Sequence, residues 1–267
     1  MKAGGGEQLL PFWDSPVLPK SDDQLASTAL DLHRMWKAGE LGGEQMPEDV
    51  HPLLALDSNE LATYFTLGMS LNYQRNSYAL WRACTAAFND PLARWVFDPF
   101  AVADADPVQL SEVLVSHRVA LQPNRHPQIW SKNARGLVEH VGGSVKTLFE
   151  THQYDLGAVK GFIADRRASF PYLCGPKISN YWLYVLSSYM AWPTRNRASL
   201  TIAPDTHVVA ASVRLGLVTD SSNQLALTSE IARRWAEVLS VTQLLPIDLH
   251  TPLWLWSRAG FPAITQA

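Results

Sequence analysis

Cysteine is scarce in this chain. Cys84 and Cys174 are its only two, and neither stands in a C-x-x-C spacing. A cysteine-ligated zinc or an iron–sulfur cluster is therefore excluded. One disulfide is arithmetically possible, but two free thiols in a reducing compartment is the expectation. Charge is scarce too: 18% of residues are Asp, Glu, Lys or Arg, and the formal net charge is −3. That balance argues against long charged arms and against nucleic-acid binding driven by total charge. A local basic patch stays open, because a partner responds to the field at the contact face. No apolar run reaches the ~18 residues of a membrane span. "MKAGGGEQLLPFW" has no apolar segment ahead of a small-residue cleavage site, so no signal peptide is expected. Alternating runs bounded by hairpin turns are nearly missing, as are solenoid repeats and low-complexity tracts beyond Gly4–Gly6. There is no H-E-x-x-H pattern and no nucleophile elbow, which leaves no ground for a metal or serine hydrolase.

What is present is helix. Hydrophobic residues make up 47% of 267, enough to bury a core in one large domain or two lobes. Residues 1–24 read as a Gly/Pro-rich arm. From Ser21, an amphipathic run with N-cap candidates stops near Gly39. Asp57 or Ser58 caps the next run, with Glu60 as capping-box partner, and a break near Asn72–Asn76 splits it in two. Asp106–Pro107 opens another helix, and Gly142–Gly143 ends the one after it. Further runs of ordinary length follow to "IDLHTPLWLWSRAGF". The expected fold is all-α, roughly ten helices joined by short loops. Residues 1–56 are expected to pack with the C-terminal helices, and 57–267 to form the main domain.

Two stretches carry chemistry. In "FPYLCGPKISNYW" a helix meets a turn with Gly175 and Pro176, and a second helix begins at Lys177. Backbone N–H groups at such a turn can seat a phosphate oxygen; a plain αα-hairpin is the other reading. In "IAPDTHVVAASVRLGLV", Asp205 follows a proline and precedes an apolar helix. An N-cap explains it as well as a catalytic carboxylate does. His207 lies on the first turn, where packing or capping is the commoner role of a histidine.

Together the stretches resemble the helix-hairpin-helix superfamily of DNA glycosylases, the group of endonuclease III and the 8-oxoguanine glycosylases. The matching residues are Gly175, Pro176 and Lys177, then Pro204, Asp205, Thr206, His207, Val208, Arg214, Leu215 and Gly216. Upstream, "IWSKNARGLVEHVGG" with Lys132 and Ala134 is similar to the family's Y-x-x-K-A-x-x-L helix. "MSLNYQRNS" places Gln74 where the family carries a glutamine at a helix end, and "DLHTPLWLWSR" stands at its last helix. The resemblance covers most of residues 57–258. There are departures: Leu173 replaces a hairpin glycine, and the interval from Lys177 to Asp205 is longer than in many members, with "AWPTRNRAS" as the apparent insertion. The cluster of endonuclease III is excluded by the cysteines, although some members lack it.

The resemblance implies a two-lobed bundle with the hairpin at about 162–190 and an active-site cleft between lobes. It implies a monomer in the cytoplasm, nucleoid-associated, acting on double-stranded DNA with a damaged or modified base. No cofactor is expected beyond a monovalent cation that the hairpin could hold. The enzyme everts a nucleotide, and Gln74, flanked by Asn72, Tyr73 and Arg75, fills the gap it leaves; Tyr73 reads equally as core. Asp205 stabilises positive charge developing on the sugar, and a helix N-terminus favours its ionised form. Lys177, desolvated by Tyr181 and Trp182, attacks C1′ and gives lyase activity, or else holds a phosphate. Trp254, His250, Asp248 and Trp182 are the base-pocket candidates, with Trp256 nearby, although each tryptophan reads as core at least as well. Lys132, Arg135, Arg166, Arg167, Arg195 and Arg197 are the candidate cationic DNA contacts, joined by Gly175 and His207, with a modest salt slope. Two alternatives stay open: a defence enzyme excising a bulky hypermodified base from phage DNA, and a non-catalytic DNA-binding module on the same scaffold.

Overall fold

The computed structural model describes residues 20–41, 46–219 and 223–265. The arm read from the first residues lies almost wholly outside them. Among the described residues the protein is all-helical, with no strand and one isolated bridge between Asp155 and Arg195. Twelve α-helices form: α1 Asp22–Lys37, α2 Asn59–Met69, α3 Ser77–Asn89, α4 Pro99–Asp104, α5 Pro107–Ser116, α6 His126–Val141, α7 Val145–Thr151, α8 Leu156–Asp165, α9 Pro176–Tyr189, α10 Thr206–Arg214, α11 Gln224–Leu239 and α12 His250–Arg258. No helix among the described residues is long and apolar enough to cross a membrane.

Side-chain caps set the starts. Ser21 accepts from the Gln24 N–H while the Gln24 side chain returns a bond, a full capping box. Ser58, not Asp57, caps α2, and its expected partner Glu60 instead pairs with Arg94 at 2.6 Å. Asp98, Asp106, Asp155 and Asp205 cap α4, α5, α8 and α10 in the same way. At the end of α6, Gly142 takes φ 61°, a left-handed conformation that costs a glycine little. The short helix α4 stands ahead of α5, and α8 stops at Asp165, before "RRASF".

Buried side chains gather in two clusters. The larger is built from α2 to α9 and includes Tyr64, Phe65, Trp81, Trp130, Phe149 and Trp182. The smaller is built from α1, α10, α11 and α12 around Leu25, Leu32, Val208, Trp235 and Leu253. Helix α1 packs on α11 and α12, and α10 lies along α12. Helix α9 contributes Ile178, Trp182, Leu183 and Val185 to the first cluster, whereas α10 contributes Val208 and Ala211 to the second. Lys177 and Asp205 thus begin helices rooted in different cores.

Candidate active site

Asn180 explains how the two stretches meet. It is buried in the first turns of α9, where its Nδ2 donates to the Pro176 carbonyl at 2.6 Å and to Thr201 Oγ1 at 2.9 Å. Its Oδ1 accepts from the Thr201 N–H at 3.1 Å and from Lys160 Nζ at 2.8 Å. The chain running up to Asp205 is therefore stitched to the start of α9. An asparagine in a helix interior is poorly placed for helix propensity, and here its bonding across to another segment supplies the reason.

Asp205 uses one carboxylate oxygen to cap α10, accepting from the Val208 N–H at 2.9 Å. Lys177 is half-buried. The side chain that relates them is His250, which is 3% exposed. Burial pulls its pKa down to about 4; Asp205 works against that, Lys177 adds to it, and a hydrogen bond to the Ala203 backbone opposes it. Asp205 and Lys177 are thus both among the charges whose field reaches the buried imidazole.

A carboxyl that the sequence did not flag completes the neighbourhood. Glu48, in the short 3-10 turn Pro47–Asp49, is 1% exposed. The Tyr181 hydroxyl donates to its Oε1, and its Oε2 has no partner. Burial pushes its pKa up to about 7, against the Tyr181 hydrogen bond and backbone hydrogen bonding, with Asp49 adding to the rise. Tyr181 follows Lys177 by one helical turn, and its ring lies 4.6 Å from that of His250, centroid to centroid. Tyr189, two turns further, donates to Asp49. The 46–49 segment is thereby held along α9.

The turn entering α9 differs from the expectation. The N–H groups of Leu173, Cys174 and Gly175 bond back to the carbonyls of Pro171, Phe170 and Tyr172, at 2.8, 3.0 and 2.9 Å. These three donors do not point outward for a phosphate. The same carbonyls are thus engaged, and Asn133 Nδ2 also donates to Pro171. The left-handed position of the turn falls on Tyr172, at φ 65°, an uncommon conformation for a bulky residue.

Tyr73 and Gln74 are exposed in the loop between α2 and α3, and Gln74 has φ 50°. The Tyr73 ring lies 5.2 Å from Tyr172, and Tyr78, five residues on, lies 5.9 Å from Trp254. The loop therefore touches the α9 turn, while α3, which follows it, meets α12 through Tyr78. Asn72 is engaged locally with Ser77 at 2.8 Å. Arg75 turns inward, donating to the Val119 carbonyl at 2.7 Å and to that of Arg118, so it is a structural clamp rather than a surface cation.

Other expected residues divide. Lys132 and Arg135 are exposed on α6, three apart on one side, and α6 is tied to the turn before α9 by Asn133–Pro171 and His140–Ser169. Arg167 is exposed, whereas Arg166 folds over the Phe162 ring at 3.8 Å. Arg195 is exposed and donates to the Gln153 carbonyl. Arg197, a candidate DNA contact, is half-buried and bonded to Asp248 at 2.9 Å and Ser187 at 2.8 Å. Asp248 is thereby occupied, since it also accepts from the Leu245 N–H. Trp182 is fully buried, its Nε1–H bonded to Thr66 at 2.9 Å, so its ring belongs to the first core. Trp254 is 7% exposed against His207 and Tyr78, and His207 meets Ser257 at 3.2 Å.

Both cysteines are free, and burial pushes the Cys84 thiol up to about 12. Among the described residues, no group of three or more His, Cys, Asp or Glu is placed to hold a metal. A cavity of about 660 Å³ opens between the start of α2, the Arg94–Phe100 segment and Gly142–Ser144. None of its lining residues belongs to the Lys177–Asp205 neighbourhood, and the chemistry does not follow the volume. A scan of protein-family models finds no match to this chain, and a search of curated proteins returns none.

Proposed function

We propose that this protein is a DNA glycosylase built like the helix-hairpin-helix enzymes, in which α8 and α9 form the hairpin and the two hydrophobic clusters are the two lobes. The observation that carries the reading is the Asn180 stitch, which ties the start of α9 beside Lys177 to the segment leading to Asp205, although the two helices are rooted in different cores. A seam between lobes is where a cleft for an everted nucleotide belongs. The exposed Tyr73–Gln74 loop, in contact with the α9 turn, is suited to fill the gap in the duplex. Lys132 and Arg135, exposed on the helix that Asn133 ties to the turn, supply phosphate contacts.

In this mechanism the carboxylate of Asp205 faces the positive charge that builds on the sugar as the C1′–N bond lengthens. The Lys177 amine attacks C1′ with its lone pair; the electron pair of the C1′–N bond leaves with the base, which takes up a proton. The amine then loses a proton, the sugar ring opens to a Schiff base, and β-elimination cleaves the strand on its 3′ side. The test is borohydride trapping on duplexes carrying oxidised, deaminated, alkylated or glycosylated bases. A covalent adduct that disappears in Lys177→Ala supports the glycosylase/lyase. Excision without trapping limits the enzyme to hydrolysis. Tight duplex binding with no excision of any base would overturn the catalytic reading in favour of a binding module.

A further inference from the structure

Two buried polar atoms in this neighbourhood lack any partner: Glu48 Oε2 and His250 Nδ1. Orphans of this kind are uncommon in folded proteins, because an unpaired buried group forfeits its hydration. They are joined through one side chain, since Tyr181 donates to the other Glu48 oxygen and lays its ring against His250. In a neutral imidazole one nitrogen donates and the other accepts, so the unpartnered Nδ1 can present an acceptor to a ligand. Lys177 and Asp205 both act on that same imidazole.

We propose that Glu48 and His250 form the polar wall against which the everted base is read, and that the base accepted there offers N–H donors along one edge. The proposal rests on the glycosylase reading and deepens it. Glu48 Oε1 is already used by Tyr181, which leaves Oε2 for the base. An N–H donated to Oε2 favours the carboxylate and offsets the cost of burying its charge. A second N–H satisfies His250 Nδ1. Tyr181 and Tyr184, stacked at 5.9 Å between centroids, hold the wall in place, with the Tyr184 hydroxyl fixed to Thr251 at 2.7 Å. A base methylated at those nitrogens would leave both acceptors bare, and sites built to bond an N–H reject analogues without it.

The experiment uses matched duplexes that differ by one methyl group on an edge bearing two kinds of N–H donor: 8-oxoguanine, with N1–H and N2–H, against N1-methyl-8-oxoguanine. The parent protein is expected to excise the unmethylated member of a pair about 10- to 100-fold faster. Glu48→Gln, which puts an amide donor in place of the acceptor, is expected to lose that preference. Its affinity for a duplex holding a tetrahydrofuran abasic analogue should stay unchanged, because that ligand has no base to read. Equal excision of both members by the parent overturns the wall without recourse to any variant, and leaves the glycosylase reading standing. A Glu48→Gln protein with the parent's rates and preference also overturns it, assigning the two orphan atoms to water. A parent that excises nothing and does not favour the abasic duplex removes the glycosylase reading and the wall with it.

Discussion

Glu48 and His250 should impose opposite pH dependences on stability, and removing one should unmask the other. Burial raises the Glu48 carboxyl from its ordinary 4.5 to about 7. The folded state therefore holds the proton more tightly than the unfolded chain, and stability falls as pH rises between those values. At about 1.4 kcal/mol per pH unit the loss is about 3 kcal/mol, complete above pH 7. Burial lowers His250 from 6.5 to about 4, so here the unfolded chain binds the proton more tightly, and stability rises with pH across that interval. That gain is also about 3 kcal/mol. The two slopes cancel between pH 4.5 and 6.5, the range common to both intervals. Asp49, Lys177 and Asp205 are the other charges that act on the pair. In Glu48→Gln only the histidine slope remains, so the variant gains stability up to pH 6.5 and then stays level. Relative to the parent it gains about 3 kcal/mol between pH 4.5 and 7, whatever constant offset the amide brings. Urea unfolding at half-unit pH steps measures this, provided tryptophan fluorescence and circular dichroism transitions coincide. Parallel profiles for parent and variant would refute the assignment of a buried, near-neutral carboxyl to Glu48.

Three other outcomes follow from the packing and the site. Gly68→Ala would bring a methyl group to 2.7 Å from Trp81 Cζ3 in the first core, and should cost about 1–3 kcal/mol in the same unfolding assay. Arg197→Ala removes the bonds to Asp248 and Ser187, and should lower stability by about 1–3 kcal/mol while leaving the salt slope of duplex binding unchanged. Asp205→Asn keeps an N-cap but removes the charge, so helix content should be retained while excision falls by about 100-fold or more, measured by single-turnover kinetics.

The helices were largely legible because their signals are local. Ser21 with Gln24, Ser58, Asp106 before Pro107, and Gly142–Gly143 act within a few residues of their own positions. The six-residue α4 was overlooked although Asp98–Pro99 carries the same start signal, because so short a run shows no periodicity. The site was legible only in part. Asp205 announces itself by its place before an apolar helix, but Glu48 lies in "GGEQMPEDV", whose polarity reads as solvent-facing loop. Its burial depends on Tyr181 in a distant helix, and no local pattern encodes that contact. Arg75, Arg197 and Trp182 misled for the same reason: a guanidinium or an indole near a motif does not reveal whether it faces a carbonyl or a ligand.

The grip of Asn180 on Thr201 is the last of several anchors on the strap that leads to Asp205. Trp192 is buried in the first core, Arg195 bridges to Asp155, and Arg197 is bound to Asp248 and Ser187. A strap pinned at so many points has little slack, so an insertion or deletion within residues 191–199 would be felt at the carboxylate.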